Sequence, residues 1–236
     1  MAGVSGRPGP VCGDPRTGRA TRDRPSPLGM AVALLAAQAA FAATFRGPRA
    51  RFWQRMTMTG LTLGGYALSL RAPLRETRIR PRDVVLGLLS AASLYLTFRV
   101  GDRFARRFVP TGERDIADIY TLRTLRPRAE IGTRLGTLIG PAEELFWRGY
   151  VQEGLIGAFG RWPGSAVAAM AYGGVHLVTG NFTLFGAAGI AGAHWCLLYA
   201  AGMPMGALIV SHVTWDVWIF LVQPTGPTTL SPAVPA

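Results

Sequence analysis

The sequence predicts an all-α polytopic membrane protein, a bundle of about six to eight transmembrane helices. Three observations carry that expectation. Hydrophobic residues make up 49% of the chain and charged residues 16%, against about 25% charged in an ordinary soluble domain. Uncharged runs long enough for helices recur along its length. The charge is also segregated: lysine is absent, and every arginine except Arg134, Arg148 and Arg161 precedes residue 129. From Gly149 onward only Glu153, Arg161 and Asp216 are charged, so the formal net charge of +12 describes the first half. Those arginines stand between apolar runs, where membrane proteins keep juxtamembrane charge. The placement argues against nucleic acid as a partner and for the lipid bilayer.

Residues 1–27 are rich in Gly, Pro and Arg, cannot bury a core, and are expected to be disordered. Leu28–Phe45 is uncharged over 18 residues, enough for one span. Its Ala37-Gln38-Ala39 resembles a signal-peptidase site, but the long lead and the later spans favour a retained helix. Met56–Leu70 and Val84–Phe98 are each 15 residues without charge. Each reaches about 23 Å as a helix, so flanking residues must lengthen it or the bilayer must thin. Residues 99–130 mix both signs of charge and are expected to form an interfacial or extramembrane connection.

The membrane domain is expected over 28–222, with its chemistry in 131–220. Ile131–Trp147, Val151–Phe159, Ser165–Val178, Leu184–Ala201 and Met205–Val222 follow one another across short turns such as Gly160-Arg161-Trp162-Pro163-Gly164. Gly and Ala crowd the later runs, which lets membrane helices approach closely. Residues 223–236 are a second expected disordered tail. Cys12 and Cys196 lie in unlike surroundings, so neither a disulfide nor a cysteine zinc site is expected.

Ionisable side chains inside these runs are the functional signal. Glu143, Glu144 and Arg148 occur within six residues of apolar sequence, and insertion of each such group costs about 2.5–3.5 kcal/mol. On a helix Glu144 and Arg148 are one turn apart, acid first, the favourable order for an ion pair. That leaves Glu143 for other work. A buried ion-pair network would account for one glutamate but not for both. Tyr172 and His176 share a helix face, as do His212 and Asp216, and a carboxylate one turn from an imidazole can set its tautomer. Glu143, Glu144, His176, His212 and Asp216 could activate water by general base catalysis. Glu143, His176 and His212 could equally hold a divalent metal such as zinc with one open position. His194 fits neither pattern and is expected to bond across helices; Ser211 is read as a packing residue.

The pattern Glu143-Glu144-x-x-x-Arg148, then Tyr172-x-x-x-His176, then His212-x-x-x-Asp216 resembles the CPBP family. Its members are CAAX-type prenyl-protein proteases and bacteriocin-processing or self-immunity enzymes, also called Abi proteins. The resemblance covers roughly 131–220. Tyr172 stands where the family usually has Phe; Asp216, where Asn is common, is within the pattern. The resemblance implies an intramembrane endopeptidase acting on a peptide or membrane-associated protein, including prenylated ones, in a bacterial cell membrane. It further implies that Glu143 with His176 activates the attacking water, that His212 and Asp216 bind the oxyanion, and that Arg148 orients the glutamate pair. No cofactor is required in that mechanism, although a metallopeptidase form is the alternative. The chain has no His-Glu-x-x-His zinc motif, and its apolar runs hold no Gly-x-Ser-Gly nucleophile; that string occurs only at Gly3-Val4-Ser5-Gly6, in the polar first segment. Two other classes use intramembrane polar clusters: a non-catalytic scaffold or chaperone, and a transporter. The complete motif set disfavours the first, and the lack of an internal repeat disfavours the second.

Overall fold

The computed structural model describes residues 25–224. The expected tails at 1–27 and 223–236 lie almost wholly outside the described residues, as does Cys12. The described chain is all-α, with eight helical rods. These are α1 (Pro27–Phe45), α2 (Phe52–Leu70), α3 (Pro81–Phe108), α4 (Gly112–Thr121), α5 (128–159), α6 (Arg161–Gly174, tightening to a 3-10 turn at Val175–Thr179), α7 (Phe182–Ala200) and α8 (Met205–Val217, ending in a π-turn at Trp218–Val222). Four are long and apolar enough by themselves to cross a membrane: α1, α3, α7 and α8 with its last turn. The remaining rods are shorter, or carry the charges and small polar groups that a buried position allows.

Two helices differ from the sequence expectation. α3 does not stop at Phe98 but runs on to Phe108, 28 residues in all from Pro81. Asp102 and Arg106, one turn apart and paired at 3.1 Å, sit on that extension. Much of the segment expected to be an interfacial connection is therefore helix, and it continues into the short amphipathic α4. The apolar run ended where charge began, but helix formation tolerates charge when i,i+4 partners are present.

α5 is the central rod. Ile131, Ile139, Phe146, Trp147, Val151 and Gln152 are all at most 1% exposed. It is not uniform in gauge. The helix widens at Leu135–Ile139, where the Gly140 N–H reaches back to the Leu135 carbonyl, and again at Trp147–Gln152, where the Glu153 N–H reaches the Arg148 carbonyl. Pro141 follows the first wide turn. A proline has no N–H to give the carbonyl one turn back, and a π-turn absorbs that mismatch without ending the rod. The segment between the wide turns, Gly140–Phe146, carries both glutamates.

Close packing fixes that segment. Gly64 of α2 lies so near it that a Cβ there would stand 2.7 Å from Ala142 Cβ. Gln152 Nε2 donates at 2.8 Å to Ser165 Oγ of α6 and at 2.8 Å to the Cys196 carbonyl of α7. α8 runs along α3, where Gly87 leaves room for Val210. Gly160 (φ 86°) and Gly180 (φ 67°) turn the chain at either end of the α6 rod, in a region that L side chains rarely adopt.

Candidate active site

Three helices deliver the polar groups. Glu143, Glu144 and Arg148 come from α5, Tyr172 and His176 from the C-terminal end of α6, and His212 and Asp216 from α8. Glu143, Glu144, Arg148, His176 and His212 are all buried.

Glu144 is held between two cations or donors. Arg148 Nη1 lies 3.0 Å from Glu144 Oε1, and neither side chain is exposed at all. His212 Nδ1 meets the same oxygen at 2.6 Å. A carboxylate only accepts, so Nδ1 is the donor there. The other edge of the His212 ring faces two further acids, with Nε2 3.5 Å from Asp216 Oδ2 and 4.0 Å from Glu143 Oε2. One imidazole thus stands among three carboxylates. The Trp195 indole stacks on it at 4.1 Å and 17° between planes.

Arg148 is clamped by rings as well as by charge. Its guanidinium carbon lies 4.7 Å from the Tyr172 ring centre and 5.1 Å from that of Trp195, within the range of cation–π attraction. Glu143 accepts a hydrogen bond from the Tyr172 hydroxyl at 3.1 Å. His176 lies on the 3-10 turn after α6, and its Nδ1 bonds to the Tyr172 carbonyl at 3.0 Å. A carbonyl accepts, so this nitrogen carries the proton and Nε2 keeps its lone pair. Phe41 and Phe45 of α1 approach the His176 ring edge-on, at 5.1 and 6.0 Å.

Glu143, Tyr172, His176, His212 and Asp216 line one cavity of about 460 Å³. Most of its wall is apolar and includes residues of α2, α3, α4 and α7. Glu144 and Arg148 are not part of that wall; they stand behind His212 and Tyr172 respectively. The residues singled out from sequence therefore fall into two layers, one on the cavity and one supporting it.

Three features lay beyond sequence reasoning. Trp195 holds both His212 and Arg148, yet an aromatic in an apolar run carries no sign of that role. Its indole N–H donates to Ser211 Oγ at 3.0 Å, Ser211 pairs with Ser90 at 2.7 Å, and Ser90 with His194 Nε2 at 3.0 Å. Ser211, expected only to pack, thus joins a buried polar chain linking α3, α7 and α8, and His194 bonds across helices outside the cavity wall. α1 supplies aromatic neighbours of His176 from more than 100 positions away in sequence, with no motif to announce it.

Among the described residues no group of three His, Cys, Asp or Glu side chains is arranged to hold a metal ion. The set Glu143, His176 and His212, expected for a metallopeptidase, is therefore not gathered as a ligand cluster. Both nitrogens of His212 face carboxylates, while His176 keeps Nε2 free of its bond to the Tyr172 carbonyl.

Residues 130–218 match a family model described as Type II CAAX prenyl endopeptidase Rce1-like. The chain carries an Rce1-like domain. At family level that domain supports a CAAX-protease-like intramembrane peptidase, a class whose substrates are peptides or proteins at a membrane. The matched segment of the Rce1-like domain begins in α5 and reaches into the last turns of α8, so it holds every glutamate, histidine and aspartate of the cavity cluster except Asp102. No curated protein and no solved structure matches the chain.

Proposed function

We propose that this protein is an endopeptidase that hydrolyses a peptide bond in or near the bilayer, of a peptide or membrane-associated protein that can be prenylated, in a bacterial cell membrane. Glu143 and His176 are the water-activating pair. A water between them gives a proton to the Glu143 carboxylate as its oxygen attacks the scissile carbonyl carbon. The His176 Nε2 lone pair orients that water by accepting its second hydrogen bond. The carbonyl π bond opens to an oxyanion, which Nε2–H of a doubly protonated His212 and a protonated Asp216 stabilise. Collapse of this intermediate breaks the C–N bond, and the proton held on Glu143 passes to the departing amine.

Glu144 and Arg148 support this machinery from behind. Glu144 accepts a hydrogen bond from His212 Nδ1–H and so keeps the Nε2 edge turned to the cavity; Arg148 balances the Glu144 charge and holds the glutamate pair in register. The observation that carries the reading is the convergence of Glu143, His176, His212 and Asp216 on one largely apolar cavity. A cavity of that lining suits an apolar or lipid-modified chain beside a hydrolytic centre.

The test uses full-length protein in detergent and in liposomes, with fluorogenic peptides offered both farnesylated and unmodified. Glu143→Gln and His176→Ala are each expected to lower turnover by about 10²- to 10⁴-fold, the usual contribution of a positioned acid or base, while folded protein stays in the membrane. Near-normal turnover in both variants would overturn the assignment. Cleavage of the unmodified peptide alone would remove prenylated substrates from the reading and leave the peptidase assignment standing.

A further inference from the structure

Tyr172 touches both members of the water-activating pair, through two different groups. Its phenol O–H donates to Glu143 Oε2 at 3.1 Å, and its backbone carbonyl accepts from His176 Nδ1 at 3.0 Å. The ring is 5% exposed. It is wedged between the Arg148 guanidinium on one side and the edge-on Trp147 ring, 5.3 Å between centres.

We propose that Tyr172 is a positioning residue: its hydroxyl fixes the plane of the Glu143 carboxylate relative to the His176 imidazole that its own backbone holds. This rests on the peptidase reading above. The terminal torsion of a glutamate is soft and roughly two-fold, so helix packing alone leaves the carboxylate free to rotate. A donor on Oε2 removes that freedom and leaves Oε1 for the water proton. The ring itself is held by Arg148 and Trp147, so the O–H direction is set before substrate arrives. A buried phenol needs a hydrogen-bond partner, and Glu143 is the one it has.

Tyr172→Phe isolates the hydroxyl, because the ring contacts with Arg148 and Trp147 and the carbonyl bond to His176 all remain. Displacement of a catalytic group by about 1 Å can cost on the order of 100-fold in rate, so kcat is expected to fall by about 10- to 100-fold with KM within about two-fold of wild type. A residue that merely packs would leave kcat unchanged in the Phe variant. The experiment measures kcat and KM of wild type, Tyr172→Phe and Glu143→Gln on the farnesylated peptide, alongside the infrared carboxylate band that Glu143→Gln removes. A shift of that band in Tyr172→Phe, with reduced kcat, supports the inference. Wild-type kcat and an unshifted band in Tyr172→Phe, with Glu143→Gln inactive, overturn it and leave the peptidase reading standing. Wild-type turnover in Glu143→Gln overturns the peptidase reading itself, and the positioning role with it. Should Tyr172→Phe fail to fold in isolation, the hydroxyl is structural and the inference is likewise overturned.

Discussion

Arg148 has no exposed surface, yet its guanidinium carries a charge that proteins do not titrate away. Its countercharge is Glu144 at 3.0 Å, and the ring centres of Tyr172 and Trp195 lie 4.7 and 5.1 Å from its guanidinium carbon. Taking Arg148 away would leave a buried carboxylate with only His212 for company. Breaking a buried pair in this way costs about 3–5 kcal/mol, so Arg148→Ala is expected to lower the thermal unfolding midpoint in detergent markedly. Arg148→Lys keeps the charge but loses the planar stack and the fork of donors, and is expected to fall between the two. An unchanged midpoint in Arg148→Ala would mean that neither the ion pair nor the ring contacts of Arg148 set local stability.

The position of the glutamate pair is a property of α5 and its neighbours. Two wide turns bracket Gly140–Phe146, and each shifts the faces that follow it relative to a regular helix. Strict 3.6-residue periodicity therefore predicts the i,i+4 pair within this stretch but not which neighbours the rod meets beyond it. On the α2 side, the atoms nearest a Cβ at Gly64 include Ala142 Cα at 2.9 Å as well as its Cβ. Backbone would have to move to admit even a methyl group. Gly64→Leu is expected to destabilise by about 1–3 kcal/mol through overpacking and to reduce cleavage by moving Glu143. Gly65→Ala, where nothing lies within 4 Å, serves as the neighbouring control and is expected to leave both unchanged. Equal effects of the two substitutions would show that the helix contact is not what matters.

At the scale of the whole molecule the usual distribution of polarity is inverted. The outer faces present Leu35, Leu89, Leu96 and Met170, each 65% exposed or more, while the charges of the candidate site are buried in the middle. Such a surface is stable against acyl chains and not against water. Leu89→Arg is expected to cost roughly 2.5–3.5 kcal/mol of insertion free energy, readable as a lower membrane-integrated fraction in a translocation assay. Normal integration would place that face of α3 away from lipid. The apolar cavity belongs to the same logic: its wall joins residues of α2, α3, α4, α7 and α8, so no single helix forms it.

Much was legible before any coordinates. Composition and continuous uncharged runs of 15 to 18 residues predict the all-α membrane class, because backbone in lipid must be paired internally and barrel strands would alternate apolar with polar. The rarity of ionisable groups after residue 130 marked Glu143, Glu144, Arg148, His176, His212 and Asp216, since each is costly without a use. Local spacing foretold the Glu144–Arg148 pair, which needs only one helical turn. Only the tertiary structure decided that His212, 68 positions away, meets Glu144, that Trp195 stacks on that imidazole, and that α1 packs its phenylalanines against His176. Periodicity tells which face a residue occupies; which face of another helix it meets depends on rod lengths, wide turns and small-residue contacts summed over the whole bundle.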